Sequence, residues 1–365
     1  MDAMSSATKL EEYLVNVATK KRIPLGGSLE LLPLCNMNCD MCYVRLSKEE
    51  MEQKGRLRTA EEWISLAEEM KKQGVLFLLL TGGEPLLYTD FKKVYLSLLQ
   101  MGMIVTINTN GTLIDEEWAE FFGMHKPRRI NITLYGKDAD TYESLCHYRD
   151  GFERTLCGIR LLRKQNVDVK LNGSLTRENR EDAQLLLKIA DELQVPIQID
   201  TYMYPASRER DCGFQMDTRL KPEEAAKAKL QIMKHSLGER FGEYCERMHE
   251  AGNQPVPDVL DCTVRCRAGR SSFVITWQGN MMPCVMMQGM SFSVFDLGFK
   301  TCWKKTTEAV EQIRISETCA SCAHRDVCQA CAASAFLETG AYDGVPEYLC
   351  LYTKGIMEGI ENGRK

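Results

Sequence analysis

Apolar residues in the first half of the chain alternate between two periods. The run "VLFLLLTGG", from Val75, is short, unbroken and closed by glycines, the pattern of a buried parallel strand. The stretch before it, "TAEEWISLAEEMKKQG", repeats at helical spacing: Thr59 and Glu62 form a capping box, Trp63, Leu66, Ala67 and Met70 share one face, and Gly74 marks the stop. This couplet recurs. "SLELLPLC" ahead of it, and "MIVTINTNG", "RINITLYG", "VDVKLNGSLT" and "VPIQIDTYMYP" after it, read as strands. Helical stretches begin near Asp90, Asp115, Phe152 and Asn179, the last with Leu186, Ile189, Ala190 and Leu193 on one face. The pattern predicts six strands, each but the last followed by a helix, over roughly residues 28 to 204. Parallel strands with right-handed helical crossovers make an α/β fold, either a full or partial TIM-type barrel or an open sheet.

Such folds place their chemistry at the C-terminal ends of the strands. "CNMNCDMC" follows the first strand, "TGGEP" the second, "NTNG" the third, "TLYG" the fourth and "TYMYP" the sixth, so all converge on one mouth.

The chain has 365 residues, more than one hydrophobic core usually spans. With 44% hydrophobic and 27% charged residues it has the composition of a soluble globular protein. A formal charge of −5 gives no electrostatic reason to expect nucleic acid or an anionic membrane as partner. The N-terminus lacks the apolar core of a secretory signal, and no run suggests a membrane span, so the expected location is cytoplasmic.

Sixteen cysteines are many for that compartment, where structural disulfides are disfavoured and clustered cysteines more often bind metal. Three fall in "CNMNCDMC", nine lie between Cys262 and Cys350, and Cys146, Cys157, Cys212 and Cys245 are scattered between. Three thiolates at the barrel mouth suit a [4Fe–4S] cube with one iron left open, since such cubes normally take four cysteines. A zinc site completed by a distant residue, or buried thiols, are the alternative readings.

Cys35, Cys39 and Cys42 on the loop after the first strand, followed by "GGEP" after the second, resemble the radical S-adenosylmethionine (SAM) enzymes. The resemblance covers about residues 28 to 210 and implies that SAM chelates the open iron. It implies contacts from Gly82, Gly83 and Glu84 to the SAM amine, from Thr109, Asn110 and Thr133 to the ribose or carboxylate, and from Arg149 to the carboxylate. Met41 stands where the family often has an aromatic residue, with Tyr43 just beyond as the nearest aromatic for the adenine.

The second cysteine region runs from "CTVRCRAGRSSFVITWQGNMMPC" through Cys319, Cys322, Cys328 and Cys331 to Cys350. It is similar to the SPASM extension of peptide-modifying radical SAM enzymes, which holds two auxiliary [4Fe–4S] clusters. By motif order that resemblance assigns Cys262, Cys266, Cys284 and Cys331 to one cluster and Cys319, Cys322, Cys328 and Cys350 to the other. Only two residues separate Cys328 from Cys331, where the motif usually has three, which leaves Cys331 open. A zinc ribbon is the alternative. Cys146, Cys157, Cys212, Cys245 and Cys302 are left over; each reads as a buried small apolar residue, and Cys212 is also the candidate hydrogen-atom donor to a substrate radical.

The expected architecture is therefore a partial (β/α)6 TIM-type barrel followed by a small, irregular cysteine-rich iron–sulfur domain. Its expected divisions are an N-terminal extension (1–27), a radical SAM core (28–210), a helical linker (211–255) and a SPASM-like region (256–365). The resemblance implies reductive cleavage of SAM and hydrogen abstraction from a peptide or protein, with flavodoxin or ferredoxin as reductant. The short stretch ahead of the first strand is too brief for a peptide-binding domain, so leader recognition would need a separate leader-binding protein or the barrel mouth itself. "YMYPASRERD", Tyr202 to Asp211, is the candidate for substrate contact, with a solvated linker as the other reading. Sulfatase maturases carry an aspartate base directly after the cysteine matching Cys284; Val285 stands here, which argues against that activity. A small-molecule substrate, or a non-catalytic iron–sulfur electron carrier, are the other functional readings.

Overall fold

The computed structural model describes residues 9–205, 207–208, 218–253, 255, 259–287, 289–328 and 331–363. Six parallel strands lie side by side in chain order: β1 (Gly26–Glu30), β2 (Phe77–Thr81), β3 (Ile104–Thr109), β4 (Arg129–Thr133), β5 (Val169–Ser174) and β6 (Ile197–Asp200). The helices Ala60–Lys72, Phe91–Gln100, Glu116–Met124, Gly151–Lys164 and Ala183–Glu192 cross between them, giving the partial TIM-type barrel that the periodicity predicts. Local chemistry sets the helix starts. The Thr59 hydroxyl accepts from the Glu62 N–H while Glu62 reaches back to the Thr59 N–H, and Asp115 accepts from the Trp118 N–H. Trp63, Leu66, Ala67 and Met70 are buried against the sheet as their spacing requires.

Strands β3 to β6 are apolar mainly on one side. Val105, Ile107, Ile130, Ile132, Leu171 and Ile199 are buried beneath the helices. Their neighbours Thr106, Asn108, Asn131, Thr133, Asn172 and Ser174 are half-buried on the concave side. A closed barrel fills its interior with layers of branched apolar side chains. A polar concave face leaves room for a ligand instead.

Two features depart from the periodic reading. A short helix, Ala139–Cys146, capped by Asp138 and ended by His147 in the left-handed region (φ 52°), precedes the helix at Gly151. The sheet also continues beyond β1: β7 (Ser272–Ile275) pairs with it in parallel, and β8 (Asn280–Met282) and β9 (Phe292–Ser293) follow antiparallel. The stretch "SSFVITWQGNMMPC", which carries the spacing between cysteines, is thus also a hairpin, turning at Gly279 (φ 88°). Gly27 makes this join close: a Cβ there would lie 2.3 Å from the ring of Phe273.

The rest of the chain packs around two small cores. Pro222–Leu237 and Phe241–Gly252 meet Glu347–Gly363 at Ala226, Cys245, Ile356, Met357 and Ile360. Val264, Met286, Met287, Val310 and Ile315 form the other, which Cys262, Cys284, Cys319 and Cys331 border. Among the described residues no helix is long and apolar enough to cross a membrane.

Candidate active site

The loop that leaves β1 is stapled along its length. Gly83 donates to the Leu32 carbonyl at 2.8 Å and Glu84 to the Leu34 carbonyl at 2.9 Å, so the loop after β2 zips onto the loop after β1. Glycine is required for that approach. A Cβ at Gly82 would stand 2.4 Å from the Leu32 carbonyl oxygen, and one at Gly83 2.2 Å from that of Leu34. Farther along, the Asn38 and Asp40 N–H groups donate to the carbonyls of Cys146 and Leu145, both at 3.0 Å. The short helix Ala139–Cys146 thereby holds the middle of the cysteine loop.

This stapling brings Cys35, Cys39 and Cys42 into one cavity of about 340 Å³ at the C-terminal ends of the strands. Gly82, Gly83, Thr109, Asn110, Thr133 and Tyr43 line it too, so most of the sequence-predicted site residues converge. Asn108, Tyr135, Ser174, Asp200, Tyr202, Met203 and Tyr204 join them. Of these, Tyr202 to Tyr204 belong to the segment expected to touch substrate; the rest become visible once the concave side of each strand is known.

Burial pushes the Cys35 thiol up, with Glu84, Cys39 and Cys42 adding to the shift. Three sulfurs so placed disfavour shared negative charge unless cations offset it. The donors that would meet thiolates are in place. The Met37 N–H reaches Cys35 Sγ at 3.4 Å, the Arg45 N–H reaches Cys42 Sγ at 3.3 Å, and Asn110 Nδ2 reaches Cys35 Sγ at 3.7 Å. The fit to an iron–sulfur group is therefore good: three thiols, one buried and two half-buried, line one cavity, with N–H donors aimed at two of the sulfurs. The third, Cys39, is buried, its thiol bonded to Cys146 and its sulfur accepting from the Tyr135 hydroxyl.

Several residues do other work than their motif position suggests. Glu84 is wholly buried and does not line the cavity; its carboxylate accepts from Thr109 Oγ1 at 2.8 Å, the Asn110 N–H at 2.8 Å and the Leu86 N–H at 3.1 Å. Both oxygens are thus engaged in tying the β2 loop to the end of β3, and burial raises this carboxyl to about 7 against those hydrogen bonds. Asn110 lies in a closed ring: its Nδ2 donates to Asn36 Oδ1, Asn36 Nδ2 to Thr112 Oγ1, and Thr112 Oγ1 to Asn110 Oδ1, at 2.7–2.8 Å. Arg149 stands outside the cavity, largely exposed and paired at 2.9 Å with Asp140 on the helix Ala139–Cys146. Tyr43 is half-buried between the cysteine loop and the second cysteine region, with the Arg208 guanidinium 5.4 Å from its ring.

The second cysteine region also gathers. Cys331 and Cys266 are close enough to Cys284 to raise its thiol, after burial itself, and Cys331 does the same to Cys266. Burial raises Cys350 to about 11, with Cys328, Cys319 and Cys322 adding to it. Cys266, Cys284 and Cys331 thus lie near one another, as do Cys319, Cys322, Cys328 and Cys350, and Cys262 borders the same small core as Cys284, Cys319 and Cys331. Among the described residues no three His, Cys, Asp or Glu side chains converge as a single tetrahedral ion would need. Of the leftover cysteines, Cys146, Cys245 and Cys302 are buried as expected, whereas Cys157 is exposed on its helix. Cys212 lies outside the described residues.

Residues 29–190 match the family model described as the Radical SAM superfamily. The AdoMet-dependent heme synthase of Methanosarcina barkeri is 25% identical over 339 residues, 89% of this chain and 96% of that protein. The sporulation killing factor maturation protein SkfB of Bacillus subtilis is 22% identical over 266 residues, 72% of this chain and 60% of that protein. Among solved structures, Streptococcus suis SuiB bound to precursor peptide SuiA aligns with a TM-score of 0.69 at 16% identity over 96% of this chain and 83% of that one, a likeness of fold.

Proposed function

The chain carries a radical SAM domain, and from that premise we propose that it modifies a peptide or protein by hydrogen-atom abstraction. Cys35, Cys39 and Cys42 would hold a [4Fe–4S] cluster that binds SAM, and the second cysteine region two auxiliary clusters. When bound, such a cluster would supply the one electron needed to cleave SAM at its sulfonium, the source of the hydrogen-atom abstraction from a substrate carbon. The chain's own residues bind and orient. The three thiols, with N–H donors at Cys35 and Cys42, fix the metal end, and Gly82 and Gly83 keep the cavity wall thin there. Thr109, Asn110, Thr133, Ser174 and Asp200 offer polar contacts along the strand ends. Tyr202, Met203 and Tyr204 close the side toward the second cysteine region and keep water from the reacting carbon.

One observation carries the reading: three thiols from one loop share a cavity with the polar ends of a parallel sheet and with an aromatic segment from beyond it. A peptide substrate is favoured by the fold likeness to a structure holding a precursor peptide and by the similarity to a peptide maturation protein. The near full-length similarity to heme synthase favours a second reading, a small-molecule substrate. Anaerobic reconstitution followed by reaction with SAM and dithionite tests the shared part. About twelve irons per chain and release of 5′-deoxyadenosine are expected. Replacing Cys35, Cys39 and Cys42 together by alanine should abolish release and leave about eight irons. An iron-replete wild-type protein that releases none would overturn the enzymatic reading. Mass spectrometry with candidate peptides encoded near the gene then separates peptide from small molecule.

A further inference from the structure

Tyr204 spans from the cavity to the second cysteine region. Its ring is part of the cavity wall, and its hydroxyl lies 3.7 Å from the sulfur of Cys331 in the second cysteine region. The segment that carries it is pinned on both sides. Tyr202, edge-on to Tyr204 at 5.1 Å, places its hydroxyl 2.7 Å from Ser334 Oγ on the helix Ala332–Thr339 that follows Cys331. Beyond Tyr204, Ser207 Oγ reaches Met286 Sδ at 3.5 Å, and Arg208 pairs with Glu30. Tyr204 therefore cannot move relative to Cys331 without breaking contacts at both ends.

We propose that Tyr204 is a positioning residue linking the reaction cavity to the iron centre of Cys266, Cys284 and Cys331: its ring seats the substrate and its hydroxyl hydrogen-bonds to the Cys331 sulfur. This rests on the reading above that the second region holds clusters. An O–H donor to an iron-bound thiolate withdraws charge from the sulfur, which favours the more negative, reduced state of the centre and raises its potential.

Tyr204→Phe removes the hydroxyl and keeps the ring. In an electron paramagnetic resonance redox titration of the iron-replete protein, one auxiliary centre should shift to lower potential while the other two centres stay where they are. Tyr202→Phe, whose hydroxyl meets Ser334 and Glu338 rather than a cysteine, should move none. If the wild type binds only about four irons, the cluster reading fails and the proposal with it. If all clusters are present and Tyr204→Phe leaves every potential in place, or Tyr202→Phe shifts the same centre equally, the cluster reading stands and the proposal is overturned.

Discussion

Arg208 reaches back from the segment after β6 to Glu30 at the end of β1, its two terminal nitrogens donating to the two carboxylate oxygens at 2.5 and 2.7 Å. Both side chains are almost wholly buried, at 3% and 2% exposure. The pair bridges strands that the sheet keeps well apart, and it fixes the segment bearing Tyr202, Met203 and Tyr204 across the barrel mouth.

Removing one member of such a pair leaves a buried charge without its partner, at a cost of about 3–5 kcal/mol. Arg208→Ala or Glu30→Ala should therefore lower the thermal midpoint more than the double replacement Arg208→Leu with Glu30→Leu. Equal losses for single and double variants would show that the pair is solvated rather than buried in solution.

Glu84 should make stability depend on pH in a direction opposite to the usual carboxylate. Its folded value is raised from 4.5 to about 7, so between those limits the folded chain keeps a proton that the unfolded chain has released. Its contribution is complete below about 4.5, declines as pH rises through the window and levels off above 7. Glu84→Gln should flatten that part of the midpoint-against-pH curve. It should also cost roughly 1–3 kcal/mol, because an amide that turns its oxygen to Thr109 and Leu86 turns its N–H groups toward the Asn110 N–H. A slope unchanged by the substitution would assign the pH dependence to another group.

Gly27→Ala tests the join between β1 and β7. The added methyl meets the ring of Phe273, itself only 2% exposed, at 2.3–2.6 Å. Overpacking of this kind costs roughly 1–3 kcal/mol. The thermal midpoint should fall accordingly, and Phe273→Leu in the same chain should restore part of it. Additive losses in the double variant would mean that the two side chains do not meet.

The parts of the site legible in the sequence are those written in local spacing. Cys35, Cys39 and Cys42 sit within one loop, and Gly82 and Gly83 end one apolar run, so their convergence needs only the strand-end rule. Glu84 and Arg149 carry the right chemistry at the right positions, but their surroundings come from elsewhere. Thr109 and Asn110 engage the first from β3, and the helix Ala139–Cys146, too short to stand out as a period, pairs with the second through Asp140. Asn108, Ser174 and Asp200 line the cavity because of which side of each strand faces inward, and only packing against the helices decides that. The hairpin of β7 and β8 is hidden because its residues read equally well as spacing between cysteines.

That hairpin has a consequence for how the chain can be divided. Without β7, one side of β1 would offer the backbone groups that now pair from Gly26 to Leu29 with Ser272 to Ile275, an open edge on a parallel sheet. Unprotected edges of this kind recruit strands from other molecules. A barrel cut away from its C-terminal part would thus lose a guard against aggregation as well as its extra cysteines, and insolubility of such a fragment would say nothing about its iron.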